Sequence, residues 1–153
     1  MTIHEGKWSG RGRLAARIVL GLIFFVFGLN GFLQFLPQPP LPAKAIPFVT
    51  GMASTGYFFP LLKGAEVLAA LLLLTNRAVP LALVILAPIV LNIVAFHLVL
   101  APGGSPLALF VLALELYAAW TYREAFAPLF SRKEIGATTA RPAPVGLAPA
   151  SRA

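Results

Sequence analysis

The chain has 153 residues, which leaves room for one domain. Hydrophobic residues make up 59% of it and charged residues 11%, with a mean hydropathy of +0.86, a balance that excludes an ordinary soluble fold of this size. The net charge is +7 and cysteine is absent, so disulfides, thiol relays, iron–sulfur clusters and thiolate metal sites within the chain are excluded too.

Residues 1–13 are polar, basic and glycine-containing, and read as a mobile cytoplasmic arm, with Trp8 suited to the headgroup layer. A spanning helix needs about 20 mostly apolar residues. Four segments qualify, over residues 14–36, 57–75, 79–101 and 106–126. The first is too long in its apolar core for a signal peptide, and a proline-rich stretch separates it from the small residues downstream, so it reads as a retained anchor. Gly21, Gly28 and Gly31 put small residues along it, the usual device for close helix packing, with a ligand-facing gap as the other reading.

The first half of the long connection, 37–56, carries Pro37, Pro39, Pro40, Pro42 and Pro47, which are expected to keep it extended. It continues as an apolar stretch from Ala45 to Met52 that suits the bilayer surface or a re-entrant turn, either as a lid or as an interfacial anchor. The turns at Asn76-Arg77 and at 102–105 are so short that the helices they join must run antiparallel. Pro60, Pro80 and Pro106 fall in first turns, whereas Pro88 sits mid-helix and predicts a kink. Tyr117, Trp120 and Tyr122 form an aromatic belt, and residues 131–153 read as a disordered cytoplasmic tail.

Basic residues set the orientation. Lys7, Arg11, Arg13 and Arg17 precede or open the first segment, Arg77 lies in the second turn, and Arg123, Arg132, Lys133, Arg141 and Arg152 end or follow the fourth. Only Lys44 falls on the other side. The expectation is an all-α, up-down four-helix bundle over 14–130 in the cell membrane, with both termini cytoplasmic. The charge is spread over helix ends and tails rather than one folded face, so it points to lipid headgroups and not to nucleic acid.

Chemistry has few places to reside. At about 1.5 Å of rise per residue, Gln34, His97 and Lys63 lie roughly 3–6 Å from the outer helix ends, and Asn30, Glu66, Asn92 and Glu115 roughly 9–14 Å. That predicts one polar pocket in the outer half of the membrane, built from Asn30, Lys63, Glu66, Asn92, His97 and Glu115 and closed below by leucine and alanine. Lys63 and Glu66, three apart, share a helix face and can pair. Asn92 and His97, five apart, do not share one. Glu115 has no cation on its own helix, so it either carries a proton or meets His97 or Lys63 across helices. Each group also has a plain structural use: an internal ion pair, an interfacial histidine, or interhelical amide bonds.

No set with metal-ligand spacing occurs, and one usable histidine is poor provision for haem. A quinone is less demanding, because it needs an apolar aromatic cleft and one or two groups that donate hydrogen bonds or exchange protons; Phe24, Phe27 and Phe96 beside His97, Glu66 and Glu115 suit it.

The chain also resembles the DoxX family of small membrane proteins, including its DoxX-like and DoxD-like members. The resemblance is carried by Arg17 with Gly21-Leu22-x-Phe24 and Gly28, Ser54-Thr55-Gly56-Tyr57, Lys63-Gly64-Ala65-Glu66 with Leu71–Leu74, Arg77-x-x-Pro80-Leu81-Ala82, and Ala87-Pro88-Ile89-Val90-Leu91-Asn92 with His97. It spans about residues 14–130 and implies a four-helix integral membrane protein. It further implies a membrane subunit of a redox system, since some relatives belong to thiosulfate:quinone oxidoreductase and others to complexes linked to oxidative stress. No catalytic set comes with it and no soluble redox domain is present, so a partner protein would carry the redox centre. Two other classes remain open: a small-solute or proton-coupled carrier using the outer pocket, and a non-catalytic assembly subunit.

Overall fold

The computed structural model describes residues 6–130, which are helical with short connections and, within that range, contain no strand. The expected tail, 131–153, and the first residues of the expected arm lie outside the described residues.

Helix α1 runs Gly6–Leu33, α2 Ile46–Ser54, α3 Phe58–Leu74, α4 Val79–Val99, α5 Ser105–Thr121 and α6 Arg123–Phe130, with a single 3-10 turn, Pro102–Gly104, before α5. Three stretches are long and apolar enough to cross a membrane: Gly10–Leu33, Val79–Val99 and Pro102–Thr121. The expected span over 57–75 is not among them: α3 qualifies only together with α2, to which it is bent by 93°, as a broken span or a re-entrant turn. The first segment therefore differs from expectation at both ends. From Gly6 onward the basic arm is helical and continuous with α1, since between Gly6 and Arg13 only glycines, at about 1 kcal/mol each, oppose a helix.

Each helix end has a local cause. At α1, Gln34 adopts a left-handed conformation (φ 50°) and its N–H bonds the Asn30 carbonyl at 2.9 Å. The Asn30 side chain then takes the Leu36 N–H at 2.7 Å, so the chain leaves the helix at Leu33 rather than Leu36. At α3, Asn76 (φ 58°) supplies the left-handed residue of a Schellman ending: its N–H bonds the Leu73 carbonyl, and Arg77 N–H reaches the Leu72 carbonyl at 2.9 Å. Ala78 is left-handed as well (φ 44°), which reverses the chain within a few residues and starts α4 beside α3. Helix α4 stays one element through Pro88. The fourth predicted segment, in contrast, is broken: α5 ends at Thr121, and Tyr122 (φ −104°, ψ 11°) separates it from α6.

Helix α1 packs on α3 and α5, and α4 packs on the same two. The core is narrow: Leu20, Leu73, Leu83, Leu86 and Val90 are its largest fully buried side chains, interleaved with Ala69, Ala70, Ala82 and Ala118. The outside is apolar as well, with Leu61, Leu91, Val99 and Trp120 each about two-thirds exposed (68%, 66%, 69% and 68%). An apolar surface on every side suits lipid as the surrounding solvent and would be a liability in water.

The tightest seam joins α1 to α3, which run antiparallel. Gly21 lies against Leu73 and Leu74, Gly28 against Glu66 and Val67, and Gly31 against Lys63. A Cβ on Gly28 would sit 3.0 Å from Val67 Cγ2 and 3.3 Å from the Val67 backbone nitrogen, and backbone cannot yield. Gly28→Leu should therefore force α1 and α3 apart and destabilise the protein by about 2–3 kcal/mol, the usual cost of overpacking, read as a lowered midpoint of thermal unfolding in detergent.

Candidate functional site

The polar groups inside the helices do not share one place. Lys63 and Glu66 do meet: Lys63 Nζ lies 2.8 Å from Glu66 Oε2 and 3.0 Å from Oε1. Glu66 is 2% exposed and sits against the Gly28 face of α1, while the Lys63 side chain keeps 23% of its surface. This is the one ion pair among the described residues.

Beside that pair opens a cleft of about 710 Å³, at the end of the molecule where α1 gives way to the proline-rich connection. Asn30, Gly31 and Gln34 of α1's end line it with Lys63 and Phe59 of α3, Phe27 lies below, and the stretch from Leu36 to Leu41 with Val49 of α2 forms the remaining wall. The connection thus covers this end of the molecule rather than projecting from it. Phe48 of α2 meets Phe96 of α4, their ring centroids 5.8 Å apart.

Of the six residues expected in a common pocket, Asn30 and Lys63 line this cleft and Glu66 reaches it through Lys63. Asn92, His97 and Glu115 do not. Asn92 is exposed on the side of α4 away from its buried stripe of Val79, Ala82, Leu83, Leu86, Val90 and Val94. His97 serves the α4–α5 turn: its Nδ1–H donates to the Ile93 carbonyl at 2.8 Å, its ring packs edge-on to Phe96 and fills the space above Gly104, and its carbonyl accepts from Ser105 Oγ at 3.3 Å. The single-pocket expectation is corrected accordingly. Equal depth along parallel axes says nothing about which way a side chain faces.

Glu115 is interior, at 4% exposure, in a stripe with Ala108, Val111, Ala118 and Tyr122. Neither His97 nor Lys63 reaches it, and its Oε2 has no hydrogen-bond partner. A second group shares this condition. Arg17 of α1 is 8% exposed and its Nη1 is also unpartnered. Read from sequence, Arg17 is one of several basic residues flanking a helix start. Its position one turn beyond Arg13, inside the apolar run, was the available signal that it turns inward. Helices α1 and α5 pack together, so the structure places one buried cation and one buried carboxylate on adjoining helices without an ion pair between them.

Among the described residues no three His, Cys, Asp or Glu side chains gather as metal ligands would. Compared with known protein families, with curated proteins and with solved structures, the chain matches none.

The Lys63–Glu66 pair has a measurable consequence. Lys63→Met leaves a buried carboxylate without its cation and should cost about 3 kcal/mol in unfolding free energy. The double replacement Lys63→Met with Glu66→Leu removes both charges and should recover most of that loss, so a double-mutant cycle on thermal melts should show strong coupling between the two positions.

Proposed function

We propose that the chain is a DoxX-like, up-down four-helix protein of the cell membrane with both termini cytoplasmic, and that it serves as a quinone-proximal membrane subunit of a redox system. A partner protein carries the redox centre. The membrane placement is supported by the three candidate spans and the fourth, bent one. The orientation is supported by the gathering of Arg13, Arg77 and Arg123 at one end of the helices, against Lys44 in the opposite connection.

One observation carries the quinone reading: the cleft beside Lys63 joins aromatic walls to hydrogen-bond donors at the edge of an apolar bundle. A quinone ring is flat and apolar on its faces and accepts hydrogen bonds at its carbonyl oxygens. Phe27 and Phe59 supply surfaces for the faces. The Gln34 amide and the Lys63 ammonium, which has a third N–H beyond those directed at Glu66, supply donors for the oxygens. Asn30 Oδ1 is committed to Leu36, and this fixes the rim of the cleft in place. The protein purified in detergent should carry extractable quinone and bind a short-chain ubiquinone analogue. Phe59→Ala should weaken that binding about tenfold, the worth of one lost ring contact. Absence of quinone from the extract, with no binding of the analogue, rejects the reading.

A second reading, a proton-coupled carrier, is favoured by a different observation: Glu115, buried and unpartnered on α5, with Arg17 similarly placed on α1. Buried ionisable groups in spanning helices typically belong to proton or ion paths. Reconstituted vesicles distinguish the two. A carrier should lose about 90% or more of its proton flux in Glu115→Gln, as expected when the one exchanging group is removed, whereas a quinone subunit should show no such flux in either protein.

A further inference from the structure

The end of the molecule opposite the quinone cleft holds a second cleft, of about 430 Å³, between the start of α1 and the end of α5. Its lining is Gly10, Arg13, Tyr117, Trp120, Thr121 and Arg123. It contains two guanidiniums and no carboxylate, and the described residues hold no ion pair for either arginine. Glu124 follows Arg123 in sequence but does not line the cleft.

Both guanidiniums are held against aromatic rings. Arg13 Cζ lies 3.6 Å from the centre of the Tyr122 ring, which is itself buried at 9% exposure. Arg123 Cζ lies 5.2 Å from the centre of the Trp120 ring, and its Nη1 donates to the Trp120 carbonyl at 3.3 Å. Stacking restrains a guanidinium plane while leaving N–H groups on its edge free, and those edges match the oxygens of a phosphate two at a time. Gly12 of α1 leaves room for the Tyr117 hydroxyl beside this cleft.

The cleft also lies at the right depth for a headgroup. The span Gly10–Leu33 has 24 residues, about 36 Å of helix against a hydrocarbon core of about 30 Å, so its first turn projects into the headgroup layer. The span that ends at Thr121 brings Tyr117 and Trp120, residue types that favour the same layer, to the other wall. Basic pockets between helices at this level are suited to anionic lipid headgroups.

We infer that this cleft is a binding site for the phosphate of an anionic phospholipid, gripped by Arg13 and Arg123 with the glycerol beside Trp120 and the acyl chains along the α1–α5 surface. The inference rests on the membrane placement alone and not on the quinone reading, which concerns the other end of the molecule.

The test uses the full chain in mild detergent, with native mass spectrometry to count retained phosphatidylglycerol against phosphatidylcholine of the same acyl chains. The unaltered protein should retain phosphatidylglycerol selectively. Arg13→Gln and Arg123→Gln should each lower that retention about fivefold and the double variant about 25-fold. Arg77→Gln, an exposed arginine at the same end but outside the cleft, should leave it unchanged. Equal loss in Arg77→Gln, or full retention in the double variant, overturns the site. Displacement of the lipid by millimolar glycerol phosphate would reassign it to a free anion and likewise overturn the proposal. Should the double glutamine variant not fold, Arg13→Lys with Arg123→Lys decides the matter. It keeps both charges but not the stacked, two-toothed grip, so retention should fall severalfold, and unchanged retention overturns the site.

Discussion

The seam between α1 and α3 governs the rest of the molecule. Hydrocarbon offers two helices no hydrophobic reason to associate, so their attraction must come from close packing and from polar groups that meet across or beside the contact. Gly28 and Gly31 supply the close packing by presenting bare backbone to α3. The residues that fill that space are Glu66, Val67 and Lys63, so the groove that draws the helices together is also the bed on which the ion pair lies. Glu66 can be buried at 2% exposure because Lys63 is one turn away on the same face and because α1 shields the pair from the other side.

From this seam the cleft follows. Helix α1 ends at Leu33 because Gln34 and Asn30 close it, and the chain then turns across the end of α3 instead of continuing straight. The proline-rich connection and α2 are carried over the Lys63 end as a result, and Phe48 of α2 meets Phe96 of α4. Aromatic walls, an amide donor and one ammonium thus come together where two helices end. The opposite end has a different character. In its cleft Arg13 and Arg123 are stacked on rings and no carboxylate joins the lining, so it is disposed toward anions rather than toward a flat neutral ligand.

How far the site could be read in advance depended on the range of the interaction. The Lys63–Glu66 pair was legible because it lies within one turn of a single helix, where spacing alone places both side chains on one face. The interior position of Glu115 was legible from its apolar neighbours, but its lack of a partner was not, because that depends on what other helices bring near it. Asn92 was misplaced for a reason peculiar to membrane helices. Helix α4 is apolar all round, so no polar face marks its outer side and the 3.6-residue period carries no directional signal. Arg17 reads in sequence as a flank facing the headgroups, as a basic residue at a helix start normally does, and only its packing against other helices buries it.

The sequence by itself determined the helical class, the presence of several apolar segments long enough to cross a membrane, and the short turns between them. All of these rest on local composition and on the length of helix an apolar medium requires. Tertiary structure alone decided which polar residues meet. It separated His97 and Asn92 from the cleft, gathered Gln34 and Phe59 into it, left Arg17 Nη1 and Glu115 Oε2 buried without a partner among the described residues, and set Arg13 and Arg123 into one basic recess. The physical reason is rotation: depth along a helix can be counted in residues, but the direction a side chain faces is set by the packing of its neighbours.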